Sequence, residues 1–349
     1  MKAQRLLICV SLLIMVLLVS CFSPWTGEKG NLTIVWGKSA AARSFVDKED
    51  LPDYSYEITL TGPGETIRET INYNAALSKT FTVTPGTWTV TIKGGNLITT
   101  TGNDHTISSY IELRVMGIEQ VEVTPGKNAS RAIPMYTATV VYSWDSLINL
   151  VNDRINTDPE EAYSREEMYV LKEYSESDFE YTETLSLYRS IILIAENNVT
   201  ISRPAPTAGE PFGPFISVNN GGTLTLGLPG MTGTLTFDNG GFATNGSLNG
   251  SLIEAFGDGM PVKLTMNKGV TIKNGLFTDN GGGVYAGFDS TFIMNGGTIT
   301  GNKVEKGPNA DNGPIGGGVY MGYSGRFIRN GGTISGNTPD NVYYEKEEY

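Results

Sequence analysis

Histidine and cysteine, two residue types central to nucleophilic catalysis, are scarce in this chain. His105 is its only histidine, and Cys9 and Cys21 are its only cysteines. A Ser-His-Asp or Cys-His mechanism would have to use His105, whose neighbours (TTTGNDHTISSY) are typical of a polar surface loop. Two cysteines, one of them in a segment that we expect to be removed, supply neither a disulfide nor a zinc-ligand set. The residues therefore predict no catalytic triad, metal site or cofactor.

Paired carboxylates could instead support polysaccharide cleavage. Asp279 and Asp289 lie in the glycine-rich repeats described below, but no two acids are adjacent within residues 199–339. Asp289 corresponds to Ser324 in the next repeat, so we expect it to lie outside the residues that the repeat needs for its structure. This pattern leaves a polysaccharide lyase or glycoside hydrolase as an alternative to a non-enzymatic protein.

The charge of the chain is strongly acidic. A net charge of −12 argues against nucleic acid as a partner. Residues 145–183 contain twelve acids, and they lack the alternating spacing of an EF-hand calcium loop. We interpret this segment as a solvated helix face and loop; a cation site or a docking patch for a basic partner is the alternative.

The N-terminus has the pattern of an export signal. Lys2 and Arg5 precede an apolar run, residues 6–19, that is shorter than a membrane-spanning helix. Residues 18–21 (LVSC) resemble the bacterial lipobox, which implies removal of residues 1–20 as a lipoprotein signal peptide and attachment of lipid to Cys21. Phe22 follows Cys21, which favours the outer membrane or cell surface as the location. The alternative is an ordinary secretory signal in which Cys21 is incidental.

Residues 21–30 read as a tether, and residues 31–142 predict a β-sandwich. Alternating apolar and polar residues in this region are interrupted by Pro-Gly turns. Residues 83–92 (VTPGTWTVTI) and 121–129 (VEVTPGKNA) resemble prealbumin-like, carboxypeptidase-regulatory-type modules, which commonly act as spacers. Trp88 is more typical of a sandwich core than of a sugar-stacking platform.

Residues 143–198 predict a capping helix followed by an acidic linker. The helix has one apolar stripe and Ser143 as its N-cap. Such a stripe can cover the open end of a solenoid and block edge-to-edge growth. The stripe consists of Trp144, Leu147, Ile148, Val151 and Ile155.

Residues 199–349 predict a short right-handed parallel β-helix. Residues 281–302 and 316–337 are 35 positions apart and identical at 15 of 22 positions, which indicates stacked structural units. Asn-Gly-Gly or Asn-Lys-Gly turns recur between short strands, as sharp corners require. Triplets such as LTL, LTM and FIM place apolar residues inward on each coil. A sandwich or propeller built from hairpins is the alternative.

The repeats also resemble a known family. Phe277-x-x-Asn280 before Gly281-Gly282-Gly283-Val284 is similar to the FxxN and GGA[ILV] motifs of polymorphic outer-membrane proteins, within the pectate-lyase-like superfamily. The resemblance implies a β-helix, surface exposure and adhesion. Glycine replaces the usual alanine here, and lipid on Cys21 would take the place of a membrane barrel.

The leading functional prediction is a lipid-anchored, non-enzymatic, adhesin-like protein of the bacterial surface. It would meet the membrane through the lipid on Cys21 and bind an extracellular glycan or protein. The segment Lys303–Ile315 is expected to be an inserted loop that contributes specificity. The second alternative, beside an enzyme, is a purely structural envelope component, in which the aromatic residues only form ladders that stabilise the coils. The candidate ligand contacts are Phe288, Tyr323, Tyr285, Tyr320 and Asp289.

Overall fold

A computed structural model describes residues 27–36, 54–72, 77–101, 107–157, 166–175, 177–204, 213–241, 251–278, 281–305 and 315–345. The described part is almost entirely β, with one helix. Its first elements are β1 Gly30–Trp36, β2 Ser55–Gly62, β3 Glu65–Ile71, β4 Ser78–Val83, β5 Gly86–Thr101, β6 Ile107–Val123, β7 Asn128–Ile133, β8 Tyr136–Val141 and the helix α1 Trp144–Thr157.

The later strands are much shorter. They are β9 Glu167–Leu171, β10 Leu185–Leu187, β11 Ser190–Ala195, β12 Val199–Ser202, β13 Ile216–Asn219, β14 Thr223–Leu226, β15 Leu235–Asp238, β16 Ile253–Phe256, β17 Val262–Met266, β18 Val270–Lys273, β19 Leu276–Thr278, β20 Val284–Ala286, β21 Ser290–Met294, β22 Thr298–Thr300, β23 Lys303–Glu305, β24 Val319–Met321, β25 Arg326–Arg329, β26 Thr333–Ser335 and β27 Val342–Tyr344.

The N-terminal strands form a two-layered β-sandwich. One layer has the order β4-β1-β7, and the other has the order β8-β6-β5-β2-β3. Alternate residues of both layers share one apolar core, which includes Leu32, Trp36 and Ile58. Trp88 is fully buried there, and its indole N–H donates to the Thr84 carbonyl oxygen at 2.8 Å. The predicted sandwich is confirmed, and Trp88 is a core residue.

The C-terminal strands form the predicted parallel β-helix. Successive coils contribute to a six-stranded sheet (β10-β13-β16-β20-β24-β27), to the solenoid part of a long sheet (β9-β11-β14-β17-β21-β25) and to a five-stranded sheet (β12-β15-β18-β22-β26). All of these pairings are parallel. Because a hairpin requires antiparallel neighbours, the alternative built from hairpins is excluded for these strands.

In-register stacking accounts for the repeated triplets. Leu224, Leu264, Phe292 and Phe327 occupy equivalent positions in four successive coils. The first three are fully buried, and Phe327 in the last of these coils is partly buried. Each coil therefore buries its apolar residue against those of its neighbours, as expected for a solenoid.

The helix α1 covers the first coil of the solenoid. The apolar side of α1 packs into the solenoid core through Trp144, Leu147, Ile148 and Val151; the side chain of Ile155 lies outside the described residues. The hydroxyl of Ser143 accepts a hydrogen bond from the Ser146 backbone N–H at 3.2 Å, so the predicted N-cap is confirmed.

The sandwich also extends the solenoid. Strand β8 pairs in parallel with β9, which in turn pairs with β11, so that one eleven-stranded sheet runs through both parts. The parallel strands of the solenoid thus begin at Glu167, before the predicted start at residue 199. They occupy part of the segment that was predicted to be a linker. Lys303–Glu305 is also a strand. It pairs in parallel with β19, and its central residue, Val304, is buried. The expected loop is therefore shortened at its start, and residues 306–314 lie outside the described residues.

Candidate functional site

A recess of about 400 Å³ lies on the outside of the solenoid, at the corner where the six-stranded sheet turns towards the long sheet. It contains three of the five ligand contacts predicted from the sequence. Its lining residues are Phe256, Asp258, Tyr285, Phe288, Tyr323 and Glu345. We call this site the aromatic recess.

Two aromatic ladders build the recess. Tyr285, Tyr320 and Tyr343 face the same way on three successive strands, with ring centroids 5.2 Å and 5.6 Å apart. Phe288 and Tyr323 form the second ladder, with centroids 6.2 Å apart and planes 14° from parallel. Since the coils stack at the spacing of neighbouring strands, rings at equivalent positions necessarily stack. The predicted ladder is thus present at the predicted contact residues.

The ladders differ in exposure. Phe288 is 40% exposed, Tyr323 is 50% exposed and Phe256 is 42% exposed, whereas Tyr320 is buried. Large exposed apolar groups that gather in a concave surface are typical of a binding site. Tyr320 stacks on Tyr285, which lines the recess, and is not itself among the lining residues.

The conformation of Asp289 contradicts the expectation that it lies outside the residues that the repeat needs for its structure, whereas its predicted contact with a ligand stays a prediction. Its φ is 50°, and Ser324 in the next coil has a φ of 58°. The backbone N–H of Asp289 donates to the Ser324 hydroxyl at 3.1 Å. Aspartate and asparagine are the side chains that best tolerate this left-handed conformation. Asp289 therefore belongs to the coil corner, and it is not among the residues that line the recess.

Both charged residues that line the recess are acidic. The Glu345 carboxylate accepts a hydrogen bond from the Tyr323 backbone N–H at 2.9 Å. Burial raises the pKa of Tyr320, and a hydrogen bond with Glu345 raises it further. The Asp258 backbone N–H is held by the side-chain oxygen of Asn220 at 2.8 Å. The recess therefore combines apolar rings with a negative potential.

Glu254 lies on the same sheet, in register with Tyr285. Burial raises the pKa of its carboxyl to about 8, although a hydrogen bond with the Ser251 backbone partly opposes this shift. At neutral pH the carboxyl is therefore mostly protonated and can donate a hydrogen bond or a proton.

Sequence reasoning missed Phe256, Asp258, Glu345 and Glu254. Only the pairing of β16 with β20 aligns Glu254 with Tyr285, and the surrounding segment EAFGDG differs too much from the later repeats to be aligned by identity. The exposure of Phe256, which ends an alternating strand, is the one signal that a closer reading could use.

Several residues singled out from the sequence cannot be placed relative to the recess. Cys21, His105 and Asp279 are outside the described residues. Within the described ranges, the side chains of His, Cys, Asp and Glu form no group of three or more that could hold a metal ion. No described helix has both the length and the apolar character needed to cross a bilayer.

By fold, the described chain is a β-sandwich joined to a parallel β-helix. No protein-family model, curated protein or solved structure matches it. Its function must therefore be inferred from the geometry of its own residues.

Proposed function

We propose that this chain is a lipid-anchored protein of the bacterial cell envelope that binds an extracellular ligand without catalysing a reaction. The observation that carries the proposal is the aromatic recess, where exposed rings and two carboxylates converge at one corner of the solenoid. Lipid on Cys21 would hold the chain at the outer membrane or cell surface, and the adhesin-like role follows from that location.

The chemistry of the recess favours a protein ligand over a glycan. Each ring of the Phe288–Tyr323 ladder stacks one face on the other ring, which leaves less free ring face than a lone aromatic platform has. Sugar stacking needs an open ring face, which these ladders offer poorly. Exposed aromatic residues are, by contrast, typical anchors of protein interfaces, and the two carboxylates suit lysine or arginine side chains of a basic partner.

Binding to an array of extracellular matrix proteins and glycans tests this proposal. We expect the chain from residue 22 onward to bind a basic protein, and we expect the signal to fall as salt rises because exposed charges are screened. A glycan as the only ligand, or binding that is insensitive to salt, would contradict the proposed ligand class.

The enzyme alternative has one observation in its favour, the raised pKa of Glu254. A protonated carboxyl in register with Tyr285, together with the carboxylates of Asp258 and Glu345 in the recess lining, provides the types of group that glycoside hydrolysis uses. Incubation of the chain with a panel of polysaccharides, with Glu254→Gln as the control, separates the two functions. Reducing-end release by the wild type, lost in Glu254→Gln, would establish the enzyme and overturn the non-enzymatic proposal.

A further inference from the structure

A second and larger cavity lies where the sandwich meets the solenoid. Its volume is about 630 Å³, within the range typical of small-molecule sites, and such sites occur preferentially at junctions between domains. One wall is the outer face of the sandwich sheet, and the other is a solenoid turn. We call it the junction cavity.

Hydroxyl groups cover the sandwich wall. Thr59 pairs with Thr91 across β2 and β5, and Thr61 pairs with Thr89. All four residues line the cavity, with the amide of Gln120 beside them. Each threonine hydroxyl can both donate and accept a hydrogen bond, as can each hydroxyl of a sugar.

The solenoid wall is held close to the sandwich. Gly230 has a φ of 92°, and a Cβ at this position would lie 2.6 Å from the Thr89 methyl group. The sulfur of Met231 accepts a hydrogen bond from the Ala195 backbone N–H at 3.2 Å. Met231 and Ile118 both line the cavity and provide apolar contact for the C–H face of a sugar ring. The solenoid wall therefore packs directly on the sandwich at Gly230.

The junction cavity is more basic than the chain as a whole. The Glu196 carboxylate forms ion pairs with both Lys93 and Lys172, with nitrogen–oxygen distances of 2.6 Å and 3.4 Å. Glu57 lies opposite Lys93 on the neighbouring strand. The other two basic residues of the lining, Arg68 and Lys268, form no ion pair with any residue in the described ranges. In a chain with a net charge of −12, these two cations mark a local site for an anion.

We propose that the junction cavity binds a short acidic oligosaccharide, with threonine hydroxyls contacting its hydroxyl groups and with Arg68 and Lys268 pairing with its carboxylate. Hydroxyl-rich walls alone would suit a neutral sugar, whereas the two cations select a carboxylated one. This inference concerns a site separate from the aromatic recess and does not depend on the ligand bound there.

Calorimetric titration of the chain from residue 22 onward with sialyllactose tests the proposal. Sialyllactose methyl ester keeps the hydroxyl groups but removes the charge, and therefore serves as the neutral probe. We expect saturable binding of the acid at submillimolar concentration and at least tenfold weaker binding of the ester. Absence of saturable binding of the acid at millimolar concentration, or equal affinity for the two probes, would overturn the proposal.

Three substitutions locate the binding. Lys268→Gln should weaken binding of the acid at least tenfold and leave binding of the ester unchanged, while Thr91→Val should weaken binding of both probes. Thr271→Val, on the outer face of the five-stranded sheet, is the matched control and should bind like the wild type. Circular dichroism and the urea midpoint establish that each variant is folded. Folded Lys268→Gln and Thr91→Val variants with wild-type affinity would show that the sugar binds elsewhere and contradict the proposed site.

Discussion

The rings of Tyr285 and Tyr320 lie 6° from parallel with their centroids 5.2 Å apart, although the two residues are separated by more than thirty positions in the chain. Their strands pair in register, so the stacking follows from the stacking of the coils. The same geometry that stabilises the solenoid also assembles the floor of the aromatic recess. Stability and binding should therefore be separable by the exposure of each ring.

Tyr320→Ala should destabilise the protein by about 3 kcal/mol or more, because it removes a buried ring between two stacked neighbours. Tyr323→Ala should change the free energy of unfolding by less than about 1 kcal/mol, since half of that side chain is exposed. Urea denaturation monitored by circular dichroism measures both values. Equal losses of unfolding free energy in the two variants would show that the buried ladder does not contribute more to stability than the exposed one.

Asn302→Ala should lower the free energy of unfolding by about 1–3 kcal/mol, because buried partners lose their hydrogen bonds. The side-chain oxygen of Asn302 accepts from the Gly275 N–H at 2.9 Å, and its amide donates to the side-chain oxygen of Asn337 at 3.0 Å. Asn330→Ala is the control, since Asn330 is exposed and ends a second asparagine ladder. A larger loss for Asn330→Ala than for Asn302→Ala would contradict this assignment.

Trp144→Ala should destabilise the chain by about 3–5 kcal/mol. The indole is fully buried against the first coil, and its N–H donates to the Glu183 carbonyl oxygen at 2.9 Å. Tyr142→Ala, which truncates an aromatic side chain that is 47% exposed nearby, should have a much smaller effect. Thermal unfolding compares them, and a Trp144→Ala variant as stable as the wild type would show that α1 is not a required cap.

Glu254→Gln should remove part of the pH dependence of stability. The folded-state pKa, about 8, lies above the unfolded value. Between about pH 4.5 and pH 8 the folded state therefore holds more protons than the unfolded state, so that the wild type loses stability as the pH rises. The variant should be more stable than the wild type at pH 8 by roughly 4 kcal/mol at most, less to the extent that solvent reaches the carboxyl, and close to it at pH 4. Urea denaturation of both proteins at several pH values measures this difference. A difference in the free energy of unfolding that is the same at every pH would contradict the raised pKa.

The architecture could be predicted from the sequence because its determinants are local and repeated. Glycine and asparagine at corners, apolar triplets between them and the alternation in residues 31–142 each follow from a short stretch of chain. The N-cap at Ser143 and the apolar stripe beginning at Trp144 could be predicted for the same reason. Each of these features keeps its expected place in the structure.

The sites were less predictable because they depend on pairings between distant segments. Nothing near β8 in the sequence indicates that it continues into β9 and creates the junction cavity. Glu345 reaches the recess only because β27 adds a further strand beyond β24. The structural role of Asp289 was missed because its difference from Ser324 hid a backbone conformation that the two residues share.

The central functional claim is that the aromatic recess binds an extracellular ligand. Array binding by the wild type, by a Phe288→Ala/Tyr323→Ala double variant and by Tyr110→Ala tests it most directly, since Tyr110 is a comparably exposed ring in the sandwich. We predict a wild-type signal on the matrix proteins that falls at least tenfold in the double variant and is unchanged in Tyr110→Ala. No signal on any matrix protein, or a protein signal that the double variant retains in full, would contradict the account.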